Sequence, residues 1–184
     1  MIVIVHGIPG IGKTTLAERL SADLELPYIA QDTIKEFFLD TLGGTYGKDQ
    51  SDAIGRAAKF SVLELASELA STETTIIIEG AFHADTAQSF VDKFSPDILQ
   101  IYVTCEPSEA KARFIARATS GVRHAIHTDS LYDVYTPQEV VHRYRPLDVP
   151  GNSVMRYDTT RYDEAAYRQL LDQLRKELAH ATTN

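Results

Sequence analysis

Eight residues near the N-terminus constrain this chain more than any others: "GIPGIGKT", Gly7 to Thr14, set between an apolar run, Ile2 to Val5, and a stretch of helical character that opens "TLAERL". A strand, a glycine turn and a helix in that order begin a parallel α/β layer, with the turn lying at the carboxyl end of the strand. The spacing is G-x-x-x-x-G-K-[ST] in full, in the strand-to-helix context that gives the pattern its meaning. Glycines at 7, 10 and 12 let successive main-chain N–H groups approach an anion without side-chain obstruction. The helix starting near Lys13 turns its positive end to the same point. Lys13 adds an ammonium group, and Thr14 a hydroxyl suited to Mg²⁺. The pattern predicts a site for the phosphates of a nucleotide.

The remainder of the chain fits that beginning. Short apolar runs at Ile2 to His6, Pro27 to Ala30, Thr75 to Glu79, Ile98 to Thr104 and Ser153 to Tyr157 alternate with longer helical segments, as in an α/β domain with a mostly parallel sheet of five strands. Ile76, Ile77 and Ile78 form a continuous β-branched run, which suits a strand covered on both faces. Two apolar stripes of helical period, Ile54-Ala58-Val62-Leu65-Ala66-Leu69 and Tyr167-Leu170-Leu171-Leu174-Leu178, are core-forming faces. The 184 residues fit one domain. Two irregular stretches, Leu42 to Gln50 and Ser120 to Ser130, are placed to close over a ligand, and a lid is expected over about 117–136.

Composition narrows the partners. A formal charge of −8 argues against a surface adapted as a whole to nucleic acid or anionic membranes. The single cysteine, Cys105, cannot form an internal disulfide and reads as a small apolar filler at a strand end. No apolar stretch approaches a membrane span, and the expected location is the cytoplasm. A guanine-reading N-K-x-D is absent. The D-x-x-G at Asp40 to Gly43 ends a helical segment instead of following an apolar strand, so a GTPase switch is disfavoured.

The loop, "IAQDTIKEFF", "IIIEGAF" and "ARFIARATSGVRH" together resemble the small P-loop kinases that include chloramphenicol phosphotransferase, zeta-toxin-type kinases and the kinase part of polynucleotide kinase, with adenylate and shikimate kinases as more distant relatives. The resemblance runs in order from residue 1 to about 160. It implies a three-layer, nucleoside-kinase-like P-loop fold with a lid, and ATP with Mg²⁺ as cofactors. ATP would then be bound by Gly7, Gly10, Ile11, Gly12, Lys13, Thr14 and Thr15.

Further roles follow from the resemblance, position by position. Asp32 stands where these kinases carry an aspartate that accepts the proton of the acceptor hydroxyl. Thr33 and Glu36 have capping-box spacing, which predicts a helix start that leaves Asp32 just outside it, facing the cleft. Glu79 ends the central strand where the family holds the magnesium water shell or the acceptor, although an aspartate is commoner there. Arg113 and Arg117 share one helix face by their i, i+4 spacing. In the related R-x-x-x-R the first arginine lies against adenine and the second on the phosphates. Arg123, beside His124 and His127 in the lid, would help neutralise the transferring group once the lid shuts. His124, His127 and Asp129 are also metal-ligand types, but a phosphate-facing lid accounts for them. Asp158-Thr159-Thr160 resembles the adenine-side loop and adds Thr159 to the nucleotide contacts. Phe37 and Phe82 are expected near the acceptor.

These residues predict a kinase that transfers the γ-phosphoryl group of ATP to a hydroxyl of a small-molecule or nucleoside-like acceptor. Lys13, Asp32, Arg117 and Arg123 would carry the chemistry, with Thr14 and Glu79 at the metal. The alternatives are a polynucleotide 5′-hydroxyl kinase, permitted by the basic cluster from Lys111 to Arg123, and a nucleotide-binding switch with no acceptor.

Overall fold

A computed structural model describes residues 1–43, 47–84, 88, 91, 98–119, 131–149 and 154–181. Five strands are present among them: β1 (Ile2–His6), β2 (Tyr28–Ala30), β3 (Ile76–Gly80), β4 (Ile98–Thr104) and β5 (Met155–Asp158). They pair in parallel in the order β2-β3-β1-β4-β5. The helices are α1 (Lys13–Leu24), α2 (Gln31–Leu42), α3 (Lys48–Ser71), α4 (Pro107–Thr119), the short α5 (Leu131–Val134), α6 (Pro137–Arg143) and α7 (Glu164–Ala181).

The strand patterns follow from their places in the sheet. β1 and β3 are buried at every residue, and β4 at all but its last, as inner strands sandwiched by helices must be. β5 lies at an edge and alternates, Met155 and Tyr157 inward, Arg156 and Asp158 outward. Alternation along β1 divides the core between two layers. Val3 and Val5 join Leu16 and Leu20 of α1 and Tyr167, Leu170 and Leu174 of α7. Ile2 and Ile4 join Val62 and Ala66 of α3 on the other side. This is the expected three-layer arrangement, and Cys105 is buried just past the end of β4.

The first β–α turn therefore emerges from the middle of the sheet, where β1 is flanked by β3 on one side and β4 on the other. A crevice at the carboxyl ends of the strands is where α/β sheets bind ligands. Asp40 to Gly43 closes α2, with Gly43 at φ 64 and its N–H donating to the Leu39 carbonyl, a helix terminus and no switch motif. Of the two irregular stretches, 44–46 and 120–130 lie outside the described residues, as does Ser153 of the predicted last strand.

Candidate active site

The loop's glycines are needed for more than freedom of approach. Gly7 has φ +150, and a Cβ there would lie 2.4 Å from the Val103 carbonyl oxygen at the end of β4. Gly10, at φ +86, would bring a Cβ to 3.2 Å from the Phe114 Cα on α4. Gly12, at φ +87, faces open space. The first two glycines let the loop lie flush against β4 and α4, and the third turns the chain into α1.

Within this frame a cavity of about 260 Å³ gathers Gly10, Gly12, Lys13, Thr14, Thr15, Asp32, Glu79 and Arg117, residues drawn from the loop, α2, β3 and α4. Lys13 is 6 % exposed, donates from Nζ to the Ile8 carbonyl at 2.9 Å and stands 3.9 Å from Glu79 Oε1. Thr14 Oγ1 donates to Glu79 Oε2 at 3.2 Å. Burial pushes the Glu79 carboxyl up from its usual pKa, and the nearby Asp32 charge adds to this, while Lys13, Thr14 and Arg117 oppose it. Charged groups this deeply buried need partners, and here they are one another's.

The Thr14 hydroxyl and the Glu79 carboxylate are adjacent hard oxygen donors, which fits Mg²⁺. Among the described residues no cluster of three or more His, Cys, Asp or Glu is placed to hold a metal. His124, His127, Asp129 and Arg123 lie outside the described residues.

Asp32 requires a correction. Thr33 and Glu36 form no capping box: α2 starts at Gln31, its N-cap is Ala30 in extended conformation, and no side chain caps it. Asp32 thus sits inside the first helical turn, where its charge suits the positive helix end. The reason is tertiary. β2 runs into α2 without a loop, and the Gln31 side chain packs over Gly80, where an added Cβ would meet it at 2.6 Å. Asp32 still lines the cavity beside Glu79. Phe82 is 2 % exposed and belongs to the core, not to the cavity wall, whereas Phe37 is 61 % exposed.

The arginines on α4, one turn apart, line different cavities. Arg117 lines the cavity that holds Lys13 and Glu79. One turn earlier, Arg113 lines a second cavity of about 250 Å³ with Ile11, Gly12, Thr15, Thr159 and Tyr162. Its Nη1 and Nη2 donate to the Thr159 and Thr160 carbonyls at 2.8 and 2.9 Å, and its Nε to Glu109 at 2.8 Å. Thr159 Oγ1 reaches the Ile11 carbonyl at 2.7 Å, tying the loop after β5 to the glycine loop.

Behind the glycine loop lies a feature the sequence reading did not single out. His6, wholly buried, donates from Nε2 to Gln100 Oε1 at 2.5 Å. Gln100 clamps both main-chain groups of Leu147, accepting from its N–H at 2.7 Å and donating to its carbonyl at 3.0 Å. The trace in the sequence is slight: two polar residues interrupting strands that are otherwise apolar.

The sequence model of a family described as "AAA domain" matches residues 2–137. No curated protein matches the chain. Several solved structures do. A candidate kinase from Chloroflexus aurantiacus is 23 % identical at a TM-score of 0.79, covering 97 % of this chain and 96 % of its own. A sugar kinase from a Janibacter species is 17 % identical at 0.63, covering 97 % and 94 %. Shikimate kinase from Bacteroides thetaiotaomicron is 16 % identical at 0.59, covering 97 % of each chain. At these identities the likeness establishes a shared fold over essentially the whole length. Among the described residues no helix is long and apolar enough to cross a membrane.

Proposed function

Since the chain belongs to the AAA domain family and has the fold of small P-loop kinases, we propose that it is an ATP-dependent kinase acting on a hydroxyl of a small-molecule or nucleoside-like acceptor. The observation that carries this is the convergence of Lys13, Thr14, Asp32, Glu79 and Arg117 on one cavity beside the glycine loop. A nucleotide-binding site alone does not need the carboxylate of Asp32 from another element facing the phosphate end. A transferase does.

In this reading the triphosphate lies along the main-chain amides of Gly7 to Thr15, with Lys13 over its terminal groups. The acceptor oxygen attacks the γ-phosphorus in line as the bond to the β–γ bridging oxygen breaks, and its proton passes to Asp32. Lys13 and Arg117 offset the charge on the transferring group. Thr14 and Glu79 would hold Mg²⁺, which when bound neutralises phosphate charge and draws Glu79 to its ionised form. Little covalent chemistry is asked of the protein, so positioning and charge account for most of the rate.

Asp32→Asn tests the assignment. The variant keeps shape and loses the proton acceptor, so transfer should fall by roughly 10²–10⁴ while affinity for a non-hydrolysable ATP analogue holds. Near-normal transfer would remove Asp32 from the chemistry. The acceptor is sought with a panel of sugars, sugar acids, shikimate, nucleosides, antibiotic alcohols and short 5′-hydroxyl oligonucleotides, scored by acceptor-stimulated ADP release, with Lys13→Ala as the blank. The sugar and shikimate kinases among the structural neighbours set its starting members. Silence across the panel with triphosphate binding intact would favour a nucleotide-dependent switch.

A further inference from the structure

A lysine buried in the seam between two helices is uncommon and asks for a reason. Lys59, midway along α3, is 9 % exposed. Gly55, Lys59 and Leu63 follow one another at four-residue spacing, on one flank of α3. α2 packs along that flank: a Cβ added at Gly55 would lie 3.7 Å from Lys35 Cε and 3.9 Å from its Nζ. A glycine inside a helix is unfavourable in itself. Here its bare surface lets the Lys35 side chain lie across α3, with its ammonium beside the turn that carries Arg56 and Lys59.

The charges on this flank do not suit one another. Burial first, and the Arg56 charge second, push the Lys59 pKa below its ordinary value. Glu36 shares α2 with Lys35, yet the surroundings of Lys59 taken together disfavour its charged form. An anion brought from outside the chain would relieve that cost.

The place of the cations says what the anion belongs to. α3 leads back to the start of β3, so it runs against the strands and its earlier turns lie toward their carboxyl ends. Val62 packs with Ile4 and Ile78. Lys59, nearly one turn earlier, therefore lies toward the strand ends, where Glu79 and Gly80 stand. On the facing helix Asp32 comes three residues before Lys35, on the same face and on the wall of the cavity that holds Lys13. The cations thus begin one helical turn, about 5 Å, from the carboxylate assigned to the acceptor's proton.

We propose that the seam of α2 and α3 seats the acceptor and that Lys35, Arg56 and Lys59 select an acceptor carrying an anionic group, carboxylate or phosphate, close to the hydroxyl that is phosphorylated. A hydroxy acid or a sugar phosphate has this form. Without the seam, such a molecule would be repelled by the triphosphate and by Asp32 and Glu79. In the transfer its hydroxyl oxygen bonds the γ-phosphorus, ADP leaves and Asp32 takes the proton, while the anionic group stays bound and unreacted. The inference rests on the kinase reading above and adds to it the charge of the acceptor.

Alcohols matched in skeleton and differing in charge test it: glycerol, glycerate and glycerol 3-phosphate, then glucose, gluconate and glucose 6-phosphate. Each is scored by ADP release with MgATP, and by calorimetry on protein saturated with Mg²⁺ and the β,γ-imido analogue of ATP. The analogue fills the glycine loop, so an anion that still binds reports a second site. In at least one series an anionic member should bind and turn over about tenfold or more better than its neutral parent, and the two anions tell carboxylate from phosphate. Lys59→Met should weaken that member by about 10–100-fold, as loss of a hydrogen bond to a charged group does, and Lys59→Arg should restore most of it. Affinity for the analogue should hold in both variants. The melting temperature of Lys59→Met should hold or rise, since a disfavoured buried charge is gone. Neutral alcohols served as well as their anionic partners, or anion binding that Lys59→Met leaves intact or loses only together with the analogue and the fold, overturn the inference and leave the kinase reading standing. Silence from every anion in both measurements, with the analogue bound, also overturns it. Failure of the analogue itself to bind overturns both.

Discussion

The two cavities, proposed to take the phosphates and the base of a nucleotide, share Gly12 and Thr15 but are held together by different means. At the phosphate end the structure depends on close main-chain approach and buried charge: Gly7 against Val103, Gly10 against Phe114, Lys13 beside Glu79. Each of these contacts has little room to adjust. At the base end, half-exposed side chains hold one another through several bonds apiece, as Arg113 does with Glu109, Thr159 and Thr160. Loss of one bond there leaves others, and water can reach what is released. Single substitutions should therefore have concentrated costs at the first end and small ones at the second.

The largest effect is expected at Gly7. A methyl group there meets a main-chain oxygen, which cannot rotate away, and the backbone is already at positive φ. Gly7→Ala should cost more than about 4 kcal/mol, among the rare severe values for a point substitution. Gly12→Ala is the internal control, since its φ is also positive but nothing lies within 4 Å. Strain alone should cost it about 1–2 kcal/mol. Urea denaturation of both variants measures the difference, and equal losses would show that strain, not the approach to β4, governs the loop.

The same contrast decides what the sequence could disclose. The glycine loop is legible because its geometry is local: a handful of neighbouring residues specify turn, helix start and anion nest. Strand ends carrying Glu79 and the i, i+4 pair Arg113 and Arg117 were legible for the same reason, since period and spacing place them. Asp32 lines a cavity with Glu79 but lies inside the helix that its spacing had put it outside, because the packing of Gln31 on Gly80 overrode a local capping preference. The His6–Gln100–Leu147 clamp joins residues 94 and 47 positions apart, and Arg19–Glu164 spans 145. No local rule relates such positions, so these contacts appear only once the chain is folded.

His6 lies behind the loop, on the buried side of the comparison, and gives a pH-dependent test. Burial, the largest cause, lowers its pKa from 6.5 to about 4, Lys13 contributes in the same direction, and the bond to Gln100 opposes. The stability His6 contributes by remaining neutral is complete above pH 6.5. As pH falls towards 4 the unfolded chain takes up a proton that the native state refuses, and stability declines by about 3 kcal/mol over that window. His6→Leu removes the titration, and Gln100 Oε1 keeps its bond from Leu147. Glu79, whose pKa is raised, pulls the other way in both proteins and cancels in the difference. The unaltered protein should thus lose about 3 kcal/mol more than His6→Leu between pH 7 and 4. Parallel pH profiles from denaturation would mean that the site is wetter than its burial implies.

The smallest effect is expected at Thr159, and it bears most directly on the contrast. Its hydroxyl lies 2.7 Å from the Ile11 carbonyl and 2.9 Å from that of Thr104. One proton can serve only one of these acceptors at a time. Thr159→Val keeps the shape and removes the donor, but the Thr104 carbonyl still accepts from the Thr159 main-chain N–H at 2.8 Å. Ile11, wholly buried, alone loses a partner, which should cost about 1–2 kcal/mol and lower the melting temperature by about 2–8 °C. Tripolyphosphate binding should be unchanged, because none of the buried charge around Lys13 is disturbed. If Thr159→Val instead costs about as much as Gly7→Ala, or abolishes tripolyphosphate binding, the two ends form one rigid unit in which the loop after β5 braces the anion nest. Tolerance at the base end would then have to come from outside the hydrogen-bond mesh.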